Sequence, residues 1–492
     1  MQCSTRCCRS NLSKLAACLL LFGCFSTRSS QGGGETEVAG GRGSALGRSA
    51  KAEDVAVPAG YAIEVVATNL NMPTGVAFDD SGNVFVLEGG YAYGETFDIP
   101  RILALGPGDQ RRVVASGTNP PWTGITFSNG QLYVAEGGAK QKGRILRVTL
   151  DGQIAAIVEG LPSGGDHHTN GPAVGPDGKL YFTQGTVTNS GVVGADNFEY
   201  GWLKRDPQLH DVPCKDVALR GVNYTTPNPL TPADDQIETG AFVPFGTKTQ
   251  AGEVIHGAVP CSGAVLRVAV SGGPAELVAW GFRNPFGIAF APDGRLFVTD
   301  NEYDERGSRP VFGTGDYLWQ VSEGGWYGWP DYGGGRQLSM KRFTPPGKDA
   351  VAMLLSEPPA APPRPVAEFG VHSSSTGIDF ARNPVFGYEG RAFVAQFGDM
   401  APKVGKVLTP VGFKVVQVDP ATGVVADFAT NREDAGPASG MKGAGLERPV
   451  SVRFNRSGDA LYVVDFGVLT MSDQGPSVRK NTGVLWRITR KL

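Results

Sequence analysis

Surplus positive charge, histidine, and cysteine beyond the first 24 residues are what this chain has least of. It carries 45 Lys and Arg against 48 Asp and Glu, a formal net charge of −3, and only 19% charged residues, below the usual quarter or so. With no basic surplus, nucleic acid is not an expected partner. No Gly-x-Gly-x-x-Gly opens a predicted helix and no Walker loop is present, which argues against a nicotinamide or ATP enzyme. A Gly-x-Ser-x-Gly elbow is also missing, which weakens a serine-hydrolase reading. The chain has no Cys-x-x-Cys-His for covalent haem and no Cys/His cluster at zinc spacing. Glycine and proline are what it has in abundance: 70 and 35 of 492 residues, about a fifth against an average of roughly 12%. Helix interiors tolerate neither, so a helix bundle is excluded. Hydrophobic content of 41% supplies a core. The expected class is all-β.

Residues 1–24 read as a signal peptide: Arg6, Arg9 and Lys14 precede an apolar run from Leu15 to Phe25, too short for a membrane span. Leu21-Phe-Gly-Cys24 resembles a lipoprotein cleavage box with Cys24 as the acylated residue; simple cleavage is the alternative. Residues 25–57 read as a flexible linker, Gly-, Ser- and Arg-rich over most of their length. The expected location is outside the cytoplasm, periplasmic or lipid-anchored at the envelope, with such an anchor the sole membrane contact. Five of the seven cysteines lie in the leader, leaving Cys214 and Cys261. In an exported protein these are expected to form a disulfide; two free buried thiols are the alternative.

Self-similarity organises residues 58–492. One unit recurs: a short apolar strand, a turn with Gly or Asn, then an apolar–aromatic strand ending in an acid or amide. The copies are Pro73–Glu88, Trp122–Glu136, Gly171–Gln184, Pro285–Asp300, Ser375–Gln396 and Pro449–Asp465. Each reads as a β-hairpin, and most are followed by a second strand pair, as at Gly143-RILRVTL and Gly263-AVLRVAV. Six four-stranded units predict a six-bladed β-propeller. The last unit lacks its outer strand, and Tyr61-AIEVVATNL is placed to supply it and close the ring. Residues 192–262 read as an insertion between blades 3 and 4.

In a propeller, the residues before strand one and after strand two of each blade gather at one mouth of the channel. The after-strand ring is Glu88, Glu136, Gln184, Asp300, Gln396 and Asp465. The before-strand set holds Trp122, Asp166-His167-His168-Thr169-Asn170, Arg283-Asn284, His372 and Arg448. Three of the five histidines fall at this phase. Carboxylates and amides suit a hard cation such as Ca²⁺, arginine suits anionic oxygens, and histidine suits general-base work. For any single acid or amide, satisfying strand-end backbone groups is the competing reading.

Three segments carry a family resemblance: Asp166-HHTNGPAVGPDGKLYF, Gly281-FRNPFGIAFAPDGRLFVTD and Asp316-YLWQVSEGGWYGWPDY. They resemble the soluble quinoprotein glucose dehydrogenases and their sorbosone-dehydrogenase relatives, with weaker agreement at His372-SSSTGIDF and Glu447-RPVSVRF. The resemblance implies a dehydrogenase using pyrroloquinoline quinone (PQQ) and Ca²⁺. His167 would be the base, Asp166 would orient it, and Arg283 would face the quinone oxygen. Asn284, Arg448, Lys403, Trp122 and Gln184 are the expected cofactor contacts, with Lys406 a second lysine candidate. Glu302, Tyr303, Asp300 and Asp316 are the expected metal residues, although Glu302-Tyr303 replaces the family's Gly-Pro. The implied substrate is an aldose or related alcohol or aldehyde, and electrons would pass to an external quinone or cytochrome. A metal-dependent lactonase or hydrolase, and a non-enzymatic binding propeller, are the alternatives.

Overall fold

The computed structural model describes residues 47–491 apart from 234, 402, 406, 408, 434 and 442. The leader, Cys24, most of the linker and Lys406 therefore lie outside the described residues. Five four-stranded antiparallel sheets and one five-stranded sheet, blade 5 with Val55–Ala56 added at its edge, follow one another around the ring. Their inner strands are Pro73–Phe78, Trp122–Ser128, Thr169–Val174, Asn284–Phe290, Ser375–Phe380 and Pro449–Phe454. Tyr61–Leu70 pairs with Gly483–Arg490, Tyr61 opposite Arg490 and Leu70 opposite Gly483. This is the outer strand of blade 6 supplied from the N-terminal side, and it removes the open edge.

The repeated glycine of the inner strand has a steric reason. A Cβ on Gly124 would lie 2.1 Å from the Gly171 carbonyl of the next blade, and one on Gly287 would lie 2.2 Å from the Thr376 carbonyl. Threonines stitch the same seam: the Thr74 and Thr123 hydroxyls donate to the Trp122 and Thr169 carbonyls at 2.6 and 2.7 Å. The apolar core is divided among the gaps between blades. Phe85, Leu87 and Leu132 fill the gap between blades 1 and 2; Val265, Val298 and Trp319 fill that between blades 3 and 4. Alternation along each strand gives every sheet two such faces.

The insertion corrects the sequence reading. It lies inside blade 3, whose second strand (Leu180–Gln184) pairs directly with Ala264–Val268. The connection from second to third strand belongs to the mouth face, so the inserted residues rise there. They include the short helices Ala195–Glu199 and Trp202–Arg205 and two two-stranded hairpins. A disulfide joins Cys214 to Cys261 across the insertion's base.

Candidate functional site

At the mouth, a cavity with a water-accessible interior of about 170 Å³ takes wall residues from all six blades, among them Thr74, Thr123, Asn170, Asn284, Thr376 and Val450. That is room for on the order of ten waters. Blades 3 and 4 supply its charged side, including Asp166, His167, Arg283, Glu302, Asp304 and Arg306. Blades 5 and 6 supply Phe397, Met400, Phe466, Leu469 and Met471, and Tyr93 and Tyr200 add aromatic surface.

The loop ahead of blade 3 sets the base. The amides of Asp166 and His167 donate to the carbonyls of Val187 and Thr186, each at 3.0 Å. His167 Nδ1 lies 2.9 Å from the Thr186 carbonyl. A carbonyl only accepts, so Nδ1 carries the proton and Nε2 holds the lone pair. Burial, reinforced by Arg283 and Arg306 and opposed by Asp166, pushes the imidazole pKa down to about 3. His167 is thus uncharged at neutral pH, with Nε2 3.5 Å from an Asp166 carboxylate oxygen. Burial alone would raise the Asp166 pKa, but Arg306, His167 and Arg283 outweigh it and hold the carboxyl well below its usual range.

Two arginines and two further aspartates surround this pair. Arg283 Nη2 is 2.8 Å from Asp304 and 3.6 Å from Asp166, and its Nη1 donates to the Glu302 carbonyl at 2.6 Å. Arg306 donates to Asp166, to Asp196 at 2.8 Å and to Asp304 at 3.1 Å. Asn189 ties the arrangement together, accepting from Arg283 Nε at 3.1 Å and donating to the carbonyls of Asp304 and Arg306. Arg306, Asp304, Asn189, Asp196 and Tyr200 escaped the sequence reading. The Asp304-Glu-Arg306 loop was visible only as a candidate calcium turn. Asp196, Asn189 and Tyr200 could have been flagged only by the length of the insertion.

Several expected residues lie elsewhere. The after-strand ring does not line the cavity: Asp300 and Asp465 hold strand-end amides, and Glu136 accepts from the side chains of Asn119, Trp122 and Arg144. Asp300 accepts the amides of Asn284 and Arg283 at 2.8 and 3.4 Å, and Asp465 accepts those of Glu447 and Arg448 at 2.8 and 2.9 Å. Trp122 is fully buried with Nε1 donating to Glu136 at 3.0 Å, and Gln184 bonds Thr169 at 2.6 Å, so neither reaches the mouth. Arg448 sits behind the wall, its guanidinium between the rings of Phe397 and Phe413, each 4.9 Å away. Its Nε donates to the Leu469 carbonyl and its Nη1 to those of Phe397, Gly398 and Asp399. Asn284 and Lys403 do line the cavity, with Lys403 paired to Glu199 at 2.9 Å.

Of the expected metal residues, Glu302 and Asp316 line the cavity and Asp300 and Tyr303 do not. Tyr303 turns its hydroxyl to the Tyr332 carbonyl at 3.0 Å, and Thr314 occupies its carbonyl at 3.1 Å. Asp316 accepts from the Ser375 amide and the Ser373 hydroxyl. Among the described residues no three His, Cys, Asp or Glu groups gather in metal-ligating geometry. Glu302 is the exception to this saturation. It lines the cavity with its Oε2 unpartnered, and burial, with Asp300 adding to it, raises its pKa well above normal. His168 also lines the cavity with neither ring nitrogen in a hydrogen bond of normal geometry.

No family model matches the chain. It is similar to the quinoprotein glucose dehydrogenase B of Acinetobacter calcoaceticus, at 26% identity over 182 residues, 36% of this chain and 29% of that protein's length. The match thus spans less than a third of that relative, and it accords with the resemblance read from the motifs. Among solved structures, the PQQ domain of pyranose dehydrogenase from Coprinopsis cinerea superposes with TM-score 0.53 at 15% identity, covering 89% of this chain and 97% of that one. A calcium form of the Trichoderma reesei protein of Carbohydrate-Active Enzymes Family AA12 gives 0.51 at 16%, covering 90% and 98%. A Thermus thermophilus oxidoreductase described as a glucose dehydrogenase gives 0.50 at 17%, covering 87% and 100%. At these identities the structures establish a shared propeller fold.

Proposed function

We propose that this chain is a PQQ-dependent dehydrogenase that oxidises an aldose or a related alcohol or aldehyde, assisted by Ca²⁺, and passes electrons to an external acceptor. One observation carries the reading: a buried histidine on the wall of the cavity, its Nδ1 held by the Thr186 carbonyl and its Nε2 beside Asp166. The lining fits the cofactor, because the cationic Arg283 and Lys403 and the Asn284 amide share one cavity with the apolar faces of Phe286, Phe397 and Tyr200. The unpartnered Glu302 Oε2 is the group placed to take a hard cation. When bound, PQQ supplies the two-electron acceptor for the hydride leaving the substrate carbon.

The protein's own part is proton management. His167 Nε2 accepts the substrate hydroxyl proton as the carbon–oxygen bond gains carbonyl character. The imidazolium so formed lies against the Asp166 carboxylate, 3.5 Å away, which stabilises it where water cannot. The Thr186 carbonyl keeps Nδ1 protonated, so only Nε2 can act. The aromatic and aliphatic wall from blades 5 and 6 limits water at this point. The hydrolase alternative drew on the acidic ring, and none of that ring lines the cavity. For location we retain export, periplasmic or lipid-anchored. The Cys214–Cys261 disulfide favours an oxidising compartment, and no helix among the described residues is long and apolar enough to cross a membrane.

The test is reconstitution. Metal-free protein is given PQQ with and without Ca²⁺, and dye reduction is followed over aldoses, alcohols and aldehydes. Activity that needs PQQ and is lost in His167→Ala supports the proposal. Absence of PQQ binding, followed by its absorbance, overturns it.

A further inference from the structure

The cavity contains a cation that the chemistry above does not use. Arg306 reaches three carboxylates from three separate segments: Asp166 in the loop before blade 3, Asp304 in its own blade 4 loop, and Asp196 in the inserted helix Ala195–Glu199. The ring of Tyr200 lies 5.8 Å from the guanidinium carbon. The helical segment is fastened at its other margins as well. Arg205 and Trp202 both reach Glu95 of blade 1, and Glu199 holds Lys403 of blade 5. The insertion therefore bears on Asp166 through the Asp196–Arg306 pair.

We infer that Arg306, clamped by Asp196, is a positioning residue that fixes the Asp166 carboxylate against the Nε2 edge of His167, so that the blade 3 insertion governs the readiness of the base. The inference rests on the dehydrogenase reading for its meaning and on geometry for its content. Asp166 faces two guanidinium groups, and Arg306 is the nearer. Arg283 stands off at 3.6 Å with its other donors committed to Asp304, Asn189 and backbone. Without Arg306, Asp166 would turn its charge to His167, and the imidazole would hold a proton where the reaction needs a lone pair. The groups facing His167 are Asp166 and His168 from its own loop and Thr186 from the loop after strand two. Arg283, Asp304 and Arg306 face it from blade 4. Tyr93 of blade 1 donates to the Asp166 carbonyl at 3.1 Å. The low imidazole pKa accords with this set.

The test reads the base without cofactor or substrate. The chain has five histidines, so ring-labelled full-length protein gives few imidazole signals, and His167 is assigned by its loss in His167→Gln. The wild-type signal is expected to report the neutral Nδ1–H form from about pH 4.5 to 8. In Arg306→Gln its midpoint should move up by about two pH units, and Arg306→Lys should recover part of that movement. Asp196→Ala leaves the guanidinium present but unclamped and should move the midpoint upward by less. If Asp196 acted only through its own charge, its removal would move the midpoint downward. In reconstituted enzyme, the acid limb of the kcat/KM profile should follow the same order. The inference is overturned if wild-type His167 is protonated at about pH 6, or if neither Arg306→Gln nor Asp196→Ala raises its midpoint. The wild-type and Asp196→Ala measurements suffice if Arg306→Gln does not fold. Loss of PQQ binding would remove the proposed chemistry and leave the titration result intact.

Discussion

Gly185 lies directly against His167: a Cβ built on the glycine would fall 2.3 Å from the histidine Cβ. The two residues belong to the paired loops that carry Asp166 and His167 on one side and Thr186 and Val187 on the other. Backbone at 185 must be bare so that the imidazole can reach the Thr186 carbonyl.

Gly185→Ala is therefore expected to displace His167 while leaving the propeller folded. Loss of the base's alignment should cost about a hundredfold or more in kcat/KM, with a far smaller change in thermal midpoint. Activity within about threefold of wild type would show that the loop absorbs the methyl group without moving the base.

Asp211 offers a prediction about pH. It is almost fully buried, accepts the Val187 amide at 2.7 Å and the Thr188 hydroxyl at 2.5 Å, and so braces the segment that holds His167. Burial, only partly offset by these hydrogen bonds, pushes its pKa up to about 6. The folded value is above the unfolded one, so the native state binds the extra proton. The stability this contributes is full below about pH 4 and is lost as pH rises through about 6. Asp211→Asn, a mimic of the protonated acid, should gain up to about 3 kcal/mol relative to wild type between about pH 4 and 8. Urea unfolding at several pH values measures it, and a difference that does not change with pH would refute the assignment.

The ring closure and the site differ in how far the sequence revealed them. Six hairpins and the closing strand at Tyr61–Leu70 were legible because each repeat couples a strand-one glycine to a turn and an alternating strand. The Asp166-His167 and Arg283-Asn284 segments were legible by their phase in that repeat. The acids at the ends of second strands were misread because one residue type serves two purposes there. Asp300 and Asp465 look like mouth ligands in sequence, yet each caps the amides at the start of its own blade's inner strand. Arg448 misled for a related reason: phase places its backbone at the mouth, and only packing shows the guanidinium turned between two phenylalanines. The Arg306 cluster could not be assembled from sequence, since two of its three carboxylates lie 110 and 140 residues away.

Arg48 anchors the segment that precedes the closing strand. Its guanidinium pairs with Asp465 at 2.5 Å and donates to the carbonyls of Thr482 and Gly445 at 2.9 and 2.8 Å. Both charged side chains are nearly inaccessible, so removing one leaves the other buried. Arg48→Ala should lower stability by about 3 kcal/mol, read as a fall in urea midpoint at unchanged slope. The Asp465 carboxylate keeps its backbone partners, so the ring should remain closed and the base unaffected.

Opening the Cys214–Cys261 bridge tests how far the insertion depends on its staple. The bridge spans 47 residues of sequence, and a loop of that size is worth about 4 kcal/mol on the chain-entropy account. Both sulfurs are buried beside the third strand of blade 3, so the loss should fall first on the insertion and only then on the ring. The paired Cys214→Ser, Cys261→Ser variant is expected to expose the amides of 195–239 to hydrogen exchange ahead of the blade strands. Because this segment holds Arg306 through Asp196 and the Val187 amide through Asp211, activity should fall at temperatures where the six sheets remain protected. Exchange that quickens uniformly around the ring would instead mean that the insertion and blade 3 unfold as one unit.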